Sequence, residues 1–83
     1  MEGVIVEVYL PASGKKYYVR VPLDLNTRVV TGMVAKALAE LSGGEYLPSG
    51  SSLLAWKDTG ALLDNSKTLR ECSVKNTSRL ILI

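Results

Sequence analysis

The feature that most constrains this chain is a change of hydrophobic period within 83 residues. From Val4 to Leu10 the apolar residues alternate. Val4, Val6, Val8 and Leu10 share one face, and Ile5, Glu7 and Tyr9 the other, the period of a β-strand. Pro11-Ala12-Ser13-Gly14 is a turn cluster. Lys16 to Leu23 alternates again, with Tyr17, Val19 and Val21 opposed to Tyr18 and Arg20, so the N-terminal third reads as a hairpin. After Asn26 the period becomes helical. Val30, Met33, Val34, Ala37, Leu38 and Leu41 recur at i, i+3, i+4, i+7, i+8 and i+11, the stripe of one amphipathic helix of about four turns.

Punctuation residues set the ends of that helix. Asn26 or Thr27 can cap its start with a side-chain oxygen, and Gly43-Gly44 supplies the left-handed conformation that stops it. Gly32 in its second turn is expected where the helix packs closely on the sheet, because glycine there is otherwise unfavourable by about 1 kcal/mol. Ser42 to Ser52 is a Ser/Gly/Pro loop. Leu53 to Lys57 reads as a strand, Asp58-Thr59-Gly60 as a turn and Ala61-Leu62-Leu63 as a short strand completing a second hairpin. Asp64 to Lys67 is a turn, Thr68 to Cys72 a single helical turn, and Arg79 to Ile83 a last strand. The order is β-β-α-β-β-β without repeat or linker, which predicts one α+β domain over residues 1–83.

Residue types narrow the chemistry. Histidine is absent and Cys72 is the one cysteine, which removes imidazole bases, Ser-His and Cys-His nucleophiles, Cys/His zinc sites and an intrachain disulfide. No GxxxxGK[ST] or GxGxxG phosphate loop is present. No cofactor, small-molecule substrate or enzymatic activity is expected. Ten Lys/Arg against eight Asp/Glu give a net charge of +2, scattered along the chain. Lys15-Lys16-Tyr17-Tyr18-Val19-Arg20 mixes cations with aromatics, but alternation puts the two tyrosines on opposite faces, so nucleic-acid stacking is not expected. Cys72 reads as a small buried filler and Trp56 as a core or core-edge residue. The start of the chain lacks a positive n-region, no stretch approaches the ~18 apolar residues of a membrane helix, and cysteine use is sparse, so a cytoplasmic setting is expected. Asn76-Thr77-Ser78 fits a glycosylation sequon that such a setting leaves idle.

The β-β-α-β-β-β order resembles the ubiquitin-like β-grasp fold, a mixed sheet of four to five strands wrapped on one helix. The segment from Leu62 to Val74, with Thr68-Leu69 and Val74, resembles the ubiquitin stretch from its fourth strand through its short 3₁₀ turn, and Leu80 to Ile83 its last strand. Cys72 stands where such domains often carry tyrosine. Val21 to Val30, leading to Val34 and Leu38, is similar to the YukD/EsaB family of bacterial ubiquitin-like proteins. That resemblance implies a cytosolic accessory of the type VII (ESX-like) secretion system, acting through protein partners there. No Gly-Gly follows the last strand, which sets the expectation of an unconjugated protein. The alternative is a modifier or sulfur carrier whose diglycine tail lies outside this sequence.

In that fold the first and last strands are central neighbours, and the sheet face turned from the helix commonly binds partners. With Leu54 and Trp56 inward, Leu53, Ala55 and Lys57 turn outward. Ile5, Ala55 and Ile81 then form an expected apolar patch beside Tyr9, rimmed by Glu7, Arg20, Lys57 and Arg79, for a partner protein or a second copy. β-branched propensity alone would also place isoleucines on that face.

Overall fold

The computed structural model describes residues 2–44, 46 and 50–83. Gly3–Leu10 (β1) and Lys15–Pro22 (β2) form the hairpin, Thr27–Leu41 is the helix (α1), and Leu54–Trp56 (β3) and Arg79–Leu82 (β4) complete the sheet. Its order is β2-β1-β4-β3. β1 runs antiparallel to β2 and parallel to β4, and β3 runs antiparallel to β4. The first and last strands are therefore the central pair.

Alternation decides which side chains enter the core. Val6, Val8 and Leu10 of β1, Val19 and Val21 of β2, Leu54 of β3, and Leu80 and Leu82 of β4 are buried against Val30, Val34 and Leu38 of α1. Leu and Val side chains buried in this way contribute about 1.5–3 kcal/mol each. Leu69 and Val74 close one end of the same core. Val4, Tyr17 and Trp56 pack against its margin.

The helix has the predicted span but a different inward face. Asn26 is the cap, its side-chain oxygen accepting the Arg28 N–H at 2.9 Å. At the other end Gly44 N–H donates to Ala39 O and Gly43 N–H to Glu40 O, with Gly43 at φ 65°, the paired bonds of a Schellman ending. The buried residues are Thr27, Val30, Thr31, Val34, Ala35 and Leu38, whereas Met33 and Leu41 of the predicted stripe are about half exposed, at 48% and 57%. Two threonines made the difference. Thr31 donates its hydroxyl to Thr27 O at 2.8 Å, and Thr27 N–H donates to Lys67 O at 2.8 Å, so both polar residues are satisfied inside. The rotation also overturns the expectation for Gly32. It lies exposed on the side away from the sheet, and a Cβ added there would meet nothing within 4 Å.

The predicted strand Ala61 to Leu63 is reduced to one bridge. Ala55 pairs with Leu62, with Trp56 N–H donating to Ala61 O and Leu63 N–H to Leu54 O. Pairing stops because Leu63 turns into the core and Asp64 opens a side-chain turn, accepting the Ser66 N–H at 2.9 Å. The expected helical turn at Thr68 to Cys72 is present as a hydrogen-bonded turn, Cys72 N–H donating to Thr68 O. Of the predicted loop from Ser42 to Ser52, Glu45, Leu47, Pro48 and Ser49 lie outside the described residues.

Candidate protein-interaction face

Strand register arranges the sheet face opposite α1 in rows. Ile5 lies beside Arg20. The next row runs Tyr18, Glu7, Arg79. The row after that runs Lys16, Tyr9, Ile81, Ala55, Leu62. At the far end Leu53 and Ile83 exchange two backbone hydrogen bonds, at 2.9 and 3.0 Å. Tyr9, Ile81 and Ala55 thus meet as expected. Ile5 stands two rows away, across the charged row.

Two of the expected contact residues are not surface groups. Ala55 is fully buried, because its methyl sits between the larger Ile81 and Leu62 in the same row. Glu7 retains only 9% of its exposure. Its carboxylate takes Lys57 Nζ at 3.2 Å and Lys16 Nζ at 3.8 Å, and the long stems of both lysines cover it. Lys57 Nζ also stands 5.3 Å from the centre of the Tyr9 ring, within cation–π range. Arg79 is held by Asp58 at 2.8 Å. Arg20 reaches back across Gly3, where a Cβ would approach its Nε to 3.0 Å.

The apolar part of the face is therefore centred on the β3–β4 side. Leu53, Leu62 and Ile83 surround Ile81 and Ala55, and they are 36%, 56% and 61% exposed. Parity along the strands put Leu53 and Ile83 on this face already. Leu62 becomes their neighbour only through the bridge to Ala55, which no local pattern announces. Tyr18, 63% exposed beside Glu7, belongs to the same face and was readable from the β2 alternation.

The other candidate features resolve into structure. Tyr17 is packed on the core and Tyr18 faces out, so no shared stacking platform forms. Cys72 is half-buried rather than fully buried, packed on the core margin with its sulfur 3.8 Å from Thr27 Oγ1 and 3.8 Å from Asp64 O. Asn76 of the sequon accepts the Ile5 N–H at 2.9 Å, and Thr77 N–H donates to Ile5 O, extending the β1–β4 pairing by a loop. Among the described residues no three Cys, Asp or Glu side chains gather as a metal site, and no helix is long and apolar enough to cross a membrane.

No family model and no curated protein matches the sequence. Solved structures do match the architecture. The ubiquitin-like domain of the Mycobacterium tuberculosis type VII secretion protein ECCD1 superposes with a TM-score of 0.79 at 14% identity, over 100% of this chain and 99% of that one. The EccD5 ubiquitin-like domain from Mycobacterium xenopi gives 0.82 at 18% identity, over 100% and 94%. A chain of the MycP5-free ESX-5 inner membrane complex gives 0.80 at 22% identity, covering all of this chain and 21% of that one. A mixed sheet of order β2-β1-β4-β3 on a single helix, shared across its whole length with these domains, gives this protein the ubiquitin-like β-grasp fold.

Proposed function

We propose that this chain is a non-catalytic protein-interaction module and works as a cytosolic accessory of a bacterial type VII secretion system. The observation that carries the reading is the group of exposed apolar side chains Leu53, Leu62 and Ile83 around the partly buried Ile81 on the sheet face turned from the helix. Apolar centres with a polar rim are the anatomy of a protein interface, and here Lys57 and Arg79 form part of the rim. The secretion setting is supported by likeness over the whole of this chain to two ubiquitin-like domains of type VII components and to 21% of a chain of an ESX-5 inner membrane complex. Its partner is then a cytosolic or membrane-anchored component of that apparatus, and the absence of imidazole and phosphate-loop chemistry suits a module that acts by contact.

Purified protein tested by calorimetry and pull-down against the cytosolic domains of such components should bind. Ile81→Asp should abolish that binding, and any self-association in sedimentation, while the far-UV circular dichroism stays unchanged. Because Ile81 is partly buried, Ile83→Asp and Leu62→Asp serve as exposed companions expected to weaken binding by about tenfold or more, the range of a truncated hot spot. Undiminished binding by all three folded variants overturns the reading.

A further inference from the structure

The side of α1 away from the interaction face carries a second candidate. A cavity of about 440 Å³ lies between the helix and the chain around residues 50–52, with Arg28, Gly32, Ala35, Lys36, Ser52 and Asn65 on its wall. Arg28, Gly32 and Lys36 are spaced four apart, so they form one stripe, with a cation at each end and a missing side chain between. An adjoining space of about 260 Å³ shares Arg28, Ser52 and Asn65 and extends the groove past the Arg28 end.

Charge and shape together specify an occupant. Among the described residues, none that lines either space carries a carboxylate. Arg28 and Lys36 have no acidic partner among the described residues, as is also true of Lys15, Arg20, Lys67 and Lys75, but of these only Arg28 and Lys36 line the cavity. The two cations are separated by about 12 Å of helix rise, so a small single anion matches only one of them. An extended chain advances about 3.3 Å per residue and spans that distance in about four residues. The floor between them is glycine and alanine, which leaves height for a backbone with small side chains.

We propose that this groove binds an extended acidic peptide segment of a partner, with two carboxylate side chains about four residues apart and small apolar residues between them. The stripe from Arg28 to Lys36 lies on a different side of the molecule from Leu62, Ile81 and Ile83, and only the adjoining space reaches the β3–β4 face, at Leu53.

The test uses the full chain and the synthetic peptide Gly-Glu-Ala-Val-Ala-Glu-Gly, acetylated and amidated, followed by amide chemical shifts. Titration should move the Gly32, Ala35, Gly50 and Ser52 signals, and binding should weaken as salt is raised. Arg28→Glu and Lys36→Glu should each lower affinity about tenfold, as reversal of a contact charge does. Gly32→Leu, at an exposed position, should block the floor and remove binding while the melting transition is retained. The Gln-for-Glu peptide should bind at least about tenfold more weakly, and Ile83→Asp should bind the acidic peptide normally. The proposal is overturned if those four signals stay still or if the Gln peptide binds equally. It is equally overturned if inorganic phosphate saturates the site as well as the peptide does, or if Gly32→Leu and both charge reversals leave affinity unchanged.

Discussion

A glycine in the interior of a helix is disfavoured by about 1 kcal/mol against alanine, because its unfolded chain is freer and it packs nothing. Gly32 carries that penalty without a positive φ and without a neighbour that a Cβ would strike. Gly32→Ala should therefore stabilise the fold by about 0.5–1 kcal/mol. In a domain of this size the melting temperature then rises by roughly 4–8 °C per kcal/mol. Thermal denaturation followed by circular dichroism measures it, and an unchanged or lower midpoint would mean that something in the folded helix requires glycine. The same residue shows where reading apolar letters reaches its limit. Thr27 and Thr31 are chemically polar, so a stripe drawn through hydrophobic residues passes them by and takes Met33 and Leu41 instead. Only the hydrogen bonds that Thr27 and Thr31 find inside reveal which face turns to the sheet. Glycine at position 32 then changes meaning, from a point of contact to a gap in an outer wall.

Short elements depend on their ends more than on their middles, and the segment after Leu63 is mostly ends. Thr68 and Glu71 form a capping box: Thr68 N–H donates to Glu71 Oε1 at 3.0 Å, and Glu71 N–H donates to Thr68 Oγ1 at 3.1 Å. Val74 N–H then returns to Leu69 O and Ser73 N–H to Arg70 O, which closes the turn with Ser73 in the left-handed region at φ 69°. This locks Leu69 and Val74 into the core although the turn is too short to persist alone. Ser73→Gly should relieve the left-handed conformation and stabilise by about 0.5–1 kcal/mol. Thr68→Ala should lose a cap and destabilise by about 1 kcal/mol. Urea unfolding of the two variants checks both signs, and equal midpoints would deny the turn this role. Thr68-Leu69-Arg70-Glu71 is a legible capping signature, so this element could be read locally. The predicted short strand could not: whether Ala61 to Leu63 continues as a strand depends on Leu63 finding the core, a long-range event. The same reason hid Leu62 from the candidate face. The strands β1, β2 and β4 were readable because strict alternation commits each side chain to one face, and tertiary packing had only to confirm the choice.

At the scale of the whole molecule, one exposed arginine joins three distant parts of the chain. Arg70 donates from Nε to Asp24 Oδ1 at 2.7 Å and from Nη2 to Glu2 Oε1 at 2.6 Å, while its backbone N–H donates to Leu23 O. It thereby ties the start of β1, the segment between β2 and α1, and the capped turn. The hydrogen bond from Arg70 holds the Asp24 carboxyl below the ordinary value of 3.8, outweighing an opposing desolvation, with the positive charge of Arg70 adding a lesser pull in the same direction, and the carboxylates raise Arg70 in turn. A carboxyl depressed on folding contributes stability that is fully present above its unfolded pKa and is lost as pH falls through the folded value. Asp24→Asn, which cannot ionise, should therefore melt below the parent at neutral pH. The gap should narrow once pH drops below about 4 and close near pH 2, where the parent carboxyl is also neutral. High salt should shrink the neutral-pH gap too, because the group is exposed and screened. Melting temperatures of both proteins from pH 2 to 7, at low and high salt, provide the measurement. A gap that persists unchanged at pH 2 would show that Asp24 acts through the shape of its turn rather than through its charge.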